Sequence, residues 1–300
     1  MQVPAPPPGP HDAPPPAGDV PGDVPGERVG RNRTAWDVAA RKYVNESDEL
    51  LARATAGESA LSPAERELLD PLLAAAPAPG VVHLQSGNGL DDLDLARAGA
   101  RWVVGVDFST TGATAAQARA AQLGLAVRYV VADALRTGLR AGCADLVHTG
   151  KGALMWLPDI GAWGHEVARL LRPGGHLVVY EAHPAACLWR RDTDPVRIDE
   201  RHGYFGGTRV NDTFPASAIE RYAADSGGSP GGPGLDAVEW QWTLADVVTA
   251  VLDAGLELRH LAEHPEPFWR PDGARTSPSW AGHLPNSFSL LARRPAHSER

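Results

Sequence analysis

From Gly80 onward the chain alternates between two hydrophobic rhythms. Short runs that are apolar on successive positions predict strands at VVHLQ (81–85), RWVVGVD (101–107), AVRYVVAD (126–133), ADLVHT (144–149) and GHLVVYEA (175–182). Between them, apolar residues recur at helical spacing near 90–99, 111–123 and 159–171, the last closed by Arg172-Pro173-Gly174-Gly175. Strands apolar on both faces and separated by helices predict a parallel sheet with right-handed crossovers. The alternation lapses after Pro184, in a stretch of paired glycines, prolines and aromatics too long for a simple connection. It resumes with a helix at 242–256, a strand at 256–264 and a last strand at 287–294.

Ahead of the sheet, NRTAWDVAARKYV (32–44) has Trp36, Ala40 and Tyr43 near helical spacing, and Ser62 with Glu65 forms a capping-box signature for a second helix. Residues 1–28 are rich in Pro and Gly and nearly devoid of large apolar side chains, which predicts a disordered tail. The expected organisation is this tail, a helical extension over 29–79, a ligand-binding half of the main domain over 80–183, an insertion over 184–240 capping the site, and closing elements over 241–294. The fold class is α/β: a Rossmann-like, seven-stranded, mostly parallel sheet with helices on both faces.

Composition narrows the function. A formal charge of −9 gives no general attraction to nucleic acid or anionic lipid, so a small-molecule substrate is favoured. No apolar run nears the roughly 20 residues that span a bilayer, and the first residues lack a signal-peptide pattern, so a cytoplasmic protein without membrane contact is expected. Cys143 and Cys187 lie far apart without metal-ligand spacing. His11, His202, His260 and His283 also lack it, and no metal site is expected.

Ligands of open parallel sheets bind beyond the strand C-termini, which singles out the stretch VVHLQSGNGLDD. Gly87 and Gly89 allow close backbone approach, and Asp107, 20 residues beyond Gly87, stands where an acid accepts ribose hydroxyls. Asp133 ends the third strand and can accept from an exocyclic amine. A dinucleotide fingerprint needs a third glycine where Asp92 stands, and Asp91 and Asp92 together would repel a pyrophosphate.

The chain here resembles the class I S-adenosylmethionine-dependent methyltransferases over about 80–294, through HLQSGNGLDDLDLAR, VVGVDFS, HTGKGALMWLPDI, LLRPGGHLVVYEAHP, EWQWTLADVVTAVLDAGL and SFSLLARRP. The resemblance implies an S-adenosylmethionine site built from backbone around Gln85, Ser86 and Gly87. It further implies ribose contact by Asp107, adenine contacts by Asp133 and Ala134 with Phe108 on the ring face, and Thr149, Gly150 and Lys151 beside the methionine portion. Trp36 and Tyr43 match by order the N-terminal Trp and Tyr that members place near the cofactor.

His183 and His264, with Glu181 and Glu263 beside them, follow the fifth and sixth strands and are the candidates to face an acceptor, against a structural role in local turns. Trp189, Tyr204, Phe205, Trp240, Trp242, Phe268 and Trp269 are candidates for an apolar acceptor pocket or for the core of the insertion. The expected activity is methyl transfer to an O, N or C atom of a small molecule, by analogy in secondary metabolism. The alternatives are a non-catalytic binding or regulatory protein on the same fold and an NAD(P)-dependent oxidoreductase, the latter disfavoured by Asp92 and by the lack of a Tyr-xxx-Lys pair at Lys151.

Overall fold

The computed structural model describes residues 25–75, 77–190, 195, 197–198, 203–211, 214, 237–267 and 282–296. Seven strands form the main sheet: β1 (Gly80–Leu84), β2 (Trp102–Asp107), β3 (Val127–Val131), β4 (Ala144–Gly150), β5 (Leu171–Ala182), β10 (Glu257–His264) and β11 (Ser287–Arg293). Their order is β10-β11-β5-β4-β1-β2-β3, and β11 alone runs against the rest. The expected α/β class and mostly parallel sheet are therefore present. Alternation along each strand feeds two separate cores. Val82, Leu84, Val147, Leu177 and Val179 point to the face covered by α7 (Ile160–Leu170) and α8 (Leu244–Asp253). Val81, Leu146 and Val178 point to the face of α4 (Pro63–Leu73), α5 (Leu90–Arg97) and α6 (Thr110–Gln122).

Several boundaries differ from expectation. Residues 25–28 belong to α1 (Pro25–Ala39) rather than to a tail; residues 1–24 lie outside the described residues. The helix expected over 32–44 breaks at Ala40 into α1 and α2 (Arg41–Asn45), and α3 (Ser47–Thr55) follows. α1 is held by contacts no local pattern discloses: Asn32 accepts from the Val238 amide and donates to its carbonyl, both at 2.7 Å. Ala35 and Ala39 are small enough to pack closely on Ala237 and Phe214. The Ser62–Glu65 capping box forms as expected. At 172–175 the chain makes no separate turn; β5 begins at Leu171, directly after α7, and absorbs Gly174 at φ 80° where the β4–β5 register shifts.

The insertion supplies a 3-10 turn at Pro184–Leu188 and short strands β6 (Trp189–Arg190), β7 (Arg197–Ile198), β8 (Thr208–Asn211) and β9 (Ala237–Trp240), paired β6 with β7 and β8 with β9. Much of 191–236, with His202, lies outside the described residues, as do Phe268 and Trp269.

Candidate active site

The chain leaving β1 turns sharply, with Gln85 at φ 56°, Gly87 at 55° and Gly89 at 75°. A left-handed glutamine is an uncommon and strained choice, and its side chain shows what holds it. Gln85 Nε2 donates to the Ala153 carbonyl at 2.8 Å, tying the loop after β1 to the loop after β4. Gly87 donates its amide to Asp107 Oδ2 at 2.9 Å, and a Cβ there would meet no atom within 4 Å, so its face is open. Gly89 differs from expectation. A Cβ there would lie 2.3 Å from Tyr129 Oη and 2.8 Å from Ala116 Cβ, so this glycine serves packing beneath α5 and not ligand approach.

His83 faces inward. Its Nδ1 lies 2.7 Å from Asp92 Oδ1, joining β1 to α5, and Asp92 is fully buried. Burial alone would push the His83 imidazole down, but Asp92 and Asp91 outweigh it and hold the group above its ordinary value. Only Asp91 of the acid pair lines the cleft, so the expected joint repulsion of a pyrophosphate reduces to one carboxylate. Lys151 Nζ meets Asp91 Oδ1 at 2.7 Å, the Ala60 carbonyl at 2.8 Å and Glu65 Oε2 at 3.3 Å. Lys151 thus binds the N-terminal extension to the strand ends, and it holds a left-handed φ of 61°. His148 packs 4.8 Å from His83, ring to ring, and its Nε2 lies 3.4 Å from Glu65 Oε1. His83, Asp91 and His148 bring ligand atoms within 4.8 Å of one another, a grouping that no spacing discloses because it joins β1, α5 and β4. The Lys151 ammonium already supplies positive charge at that carboxylate.

Above these residues lies a cleft of about 440 Å³, lined by Trp36, Tyr43, Gln85, Ser86, Gly87, Asp107, Phe108, Gly150 and Lys151 among others. Nine expected cofactor residues are therefore brought together. Ser86 Oγ and Gln85 Oε1 are buried in this region without a hydrogen-bond partner. Asp107, nearly buried, accepts from the Gly87 and Ser109 amides; burial pushes its carboxyl up to about 6 against those two bonds. Asp133 and Ala134 line an adjoining niche with Asp107, Phe108, Val29 and Trp156. That niche measures about 30 Å³, room for one or two waters. Thr149 departs from expectation: it is fully buried and donates to the Leu84 carbonyl at 3.3 Å.

A second chamber, of about 580 Å³, shares Trp36, Lys151, Gly152 and Trp156 with the cleft. Trp189, Trp240 and Trp242 line it as expected, together with Phe214 and Phe288. Tyr204 and Phe205 do not: Tyr204 Oη accepts the Leu244 amide at 3.3 Å, and Phe205 is 87% exposed. Trp36, Trp156 and Phe214 pack together with ring centroids 4.9 to 5.3 Å apart.

His183 lines this chamber, with Nδ1 engaged and Nε2 near a carboxylate but without a hydrogen bond. Nδ1 accepts the Ala185 amide at 3.1 Å, which places the neutral-ring proton on Nε2, 2.8 Å from Glu263 Oε1. Through Nδ1 it caps the 3-10 turn. His264 lies outside the chamber lining, with Nε2 2.9 Å from Ser289 Oγ. Glu181 gathers the amides of Gly152, Ala153, Leu154 and Ala182, fixing the loop between the two chambers. Sequence reasoning missed Asp91, Asp37, Glu65, His148, Trp156 and Phe214 as site builders; the capping box pointed to Glu65 only as a helix cap.

Residues 82–179 match the family model described as a methyltransferase domain. The demethylmenaquinone methyltransferase of Mycolicibacterium gilvum is 37% identical over 109 residues, 36% of this chain and 44% of that protein. An uncharacterised protein of Mycobacterium bovis is 35% identical over 115 residues, 37% of this chain and 41% of its own length. The chain thus spans less than half the length of the curated relatives it matches. An S-adenosylmethionine-dependent methyltransferase from Mesorhizobium loti superposes with a TM-score of 0.55 at 23% identity, covering 78% of this chain and 99% of that one. Geranyl diphosphate C-methyltransferase from Streptomyces coelicolor A3(2) gives 0.52 at 18% identity, covering 83% of each. The segment 82–179 thus matches a methyltransferase domain, and the strand order is that of the fold these solved structures share.

Proposed function

We propose that the protein transfers a methyl group from S-adenosylmethionine to an O, N or C atom of a small-molecule acceptor. The carrying observation is that the strand-end cleft and the aromatic chamber meet at Trp36, Lys151, Gly152 and Trp156. The donor set suits the cofactor: Gly87 leaves an open face, Ser86 Oγ and Gln85 Oε1 are buried without partners, and about 440 Å³ falls within the range of small-molecule sites. Trp36, Tyr43, Gln85, Ser86, Gly87, Asp107, Phe108, Gly150 and Lys151 would hold the body of the cofactor, and Asp133 with Ala134 its base.

When bound, the cofactor supplies a methyl group on positively charged sulfur. The chain's own residues then align and enclose. Glu181 and Gln85 fix the loop 152–154, so the wall between donor and acceptor keeps its position. The aromatic lining excludes water from the acceptor side. Among the described residues of the chamber wall, backbone amides take the Nδ1 lone pair of His183 and the carboxylate of Glu181, so the acceptor's own nucleophile is expected to carry the reaction.

The partial likeness to a demethylmenaquinone methyltransferase, and the fold shared with a geranyl diphosphate C-methyltransferase, support a small acceptor. Isothermal titration with adenosylhomocysteine tests the reading: micromolar binding is expected, and no binding at millimolar ligand overturns it. The engagement of the His183 Nδ1 lone pair by the Ala185 amide also suits a non-catalytic binding protein. A mass-spectrometric screen of metabolites for products heavier by one CH₂ separates the two, since any turnover removes the binding-only reading.

A further inference from the structure

Among the described residues, each charged group in the wall of the second chamber already has a polar or charged partner. Lys151 sits on Asp91 and Glu65. Glu181 is filled by four backbone amides, and His183 is held between the Ala185 amide and Glu263. Arg209 on β8 is paired with Glu239 on β9, which Asn211 Nδ2 also reaches at 2.7 Å. An anionic acceptor would therefore shed its hydration and find no free cation among the described wall residues. Burying an ionised carboxylate under those conditions is strongly unfavourable.

The polar capacity left in the wall is of a neutral kind. Trp36 Nε1 and Trp189 Nε1 are buried donors without acceptors, His183 Nε2 is buried 2.8 Å from Glu263 Oε1 without a hydrogen bond, and Asn286 Oδ1 is a buried acceptor without a donor. Asn286 cannot turn freely to satisfy itself, because its Nδ2 is spent on the Pro265 carbonyl at 2.7 Å and the Leu284 carbonyl at 3.2 Å. Around these atoms the wall is flat and aromatic, and the Trp36–Trp156–Phe214 cluster keeps its rings in fixed edge and tilted arrangements.

We infer that the chamber takes an uncharged, planar aromatic acceptor bearing hydroxyl or carbonyl oxygens, and discriminates against anionic ones. This rests on the methyltransferase reading and specifies its acceptor class. The oxygens accept from indole N–H groups, a hydroxyl donates to Asn286 Oδ1, and the rings supply the contact area. A phenolic hydroxyl is then both a recognition handle and a candidate methyl acceptor; in that case its proton leaves with solvent while the oxygen lone pair forms the new bond to carbon and the carbon–sulfur bond breaks.

The test is isothermal titration of the full chain, saturated with adenosylhomocysteine, against 2-naphthol, 2-naphthoate and geraniol at neutral pH. Binding of 2-naphthol is expected to exceed that of 2-naphthoate by about tenfold or more, and that of geraniol by a smaller factor. Trp189→Phe should weaken 2-naphthol by about two- to tenfold while leaving adenosylhomocysteine binding intact, which also reports that the variant folds. Naphthoate binding as tightly as naphthol overturns the inference, as does geraniol binding best. Failure of adenosylhomocysteine itself to bind would instead overturn the cofactor reading, so the two outcomes are distinguishable.

Discussion

At Asp107, burial and hydrogen bonding act in opposite directions. Burial pushes its carboxyl up to about 6 from 3.8; the Ser109 and Gly87 amides oppose the shift, and His83 below lowers it while Asp92 raises it. Ionised Asp107 can accept from the cofactor's hydroxyls beside its two amides, whereas the protonated form loses acceptor capacity. Adenosylhomocysteine affinity should therefore fall as pH drops from about 8 to about 5, and Asp107→Asn should bind weakly with a flatter profile; titration calorimetry across that range checks both. For folding the sign is opposite. The folded chain holds more protons than the unfolded one between 3.8 and about 6, so this group's contribution to stability declines as pH rises through that window. The two glycines of the turn separate in the same way. Gly89→Ala should lower stability by about 1–3 kcal/mol, since its Cβ would collide with Tyr129 and Ala116 at a left-handed φ. Gly87→Ala meets no protein atom; beyond the strain of its left-handed φ of 55°, about 1 kcal/mol, it should chiefly reduce cofactor affinity. Thermal melts and titrations of both variants test the contrast, and equal effects on both quantities would refute it. Asp107 and Gly87 were legible because their positions at the strand ends follow from topology. Gly89 was misread because its neighbour Tyr129 arrives from another strand.

Elements were legible where both faces of a strand are apolar and illegible where a helix is held by side chains from elsewhere. The strands of the sheet match their runs within a few residues, because Val81 and Val82, or Val178 and Val179, must each enter a different core. α1 buries little beyond Ala35 and Ala39, and its anchor is the Asn32–Val238 pair across 206 residues, so local periodicity marks only its part from Asn32 onward and not its start. The link between β1 and α5 is a further case, since His83 stands as an oddity in a glycine-turn motif until Asp92 is placed beside it. His83→Ala strands a fully buried carboxylate and should cost about 3 kcal/mol of stability. The double variant His83→Ala/Asp92→Asn, which removes the stranded charge, should recover part of that loss. Urea unfolding followed by circular dichroism measures both, and a double variant no better than the single one would show that the charge is not the cause. Since Asp92 and Asp91 hold the His83 pKa above its ordinary value, the stability this pair contributes is full below about 6.5 and declines as pH rises through the elevated folded value.

Across the whole molecule, the site is assembled from the sheet, the extension and the insertion. The sheet's share followed from strand order. The remainder did not, because Trp36, Trp156 and Phe214 meet only in three dimensions. This assembly has a kinetic consequence. The niche beside Asp133 is narrow, about 30 Å³, and two of its walls are Val29 on α1 and Trp156. α1 is tied down at Asn32 to Val238 and at Asp37, whose Oδ1 accepts from Ser109 Oγ at 2.6 Å and from the Thr111 amide at 3.3 Å. An adenine seated between these walls would press on this helix and the Trp156 turn, so binding is expected to be preceded by an opening step. Followed by tryptophan fluorescence in a stopped-flow instrument, the observed rate should level off with rising adenosylhomocysteine instead of climbing linearly. Asn32→Ala removes both hydrogen bonds to Val238 and leaves every cleft-lining side chain in place. It should raise the plateau rate severalfold, by weakening the closed state about 1–2 kcal/mol, and so favour the open form before ligand arrives. A rate that stays linear to high ligand, unmoved by Asn32→Ala, would mean that the adenine is seated without displacing α1 and that the niche widens locally at Trp156 alone.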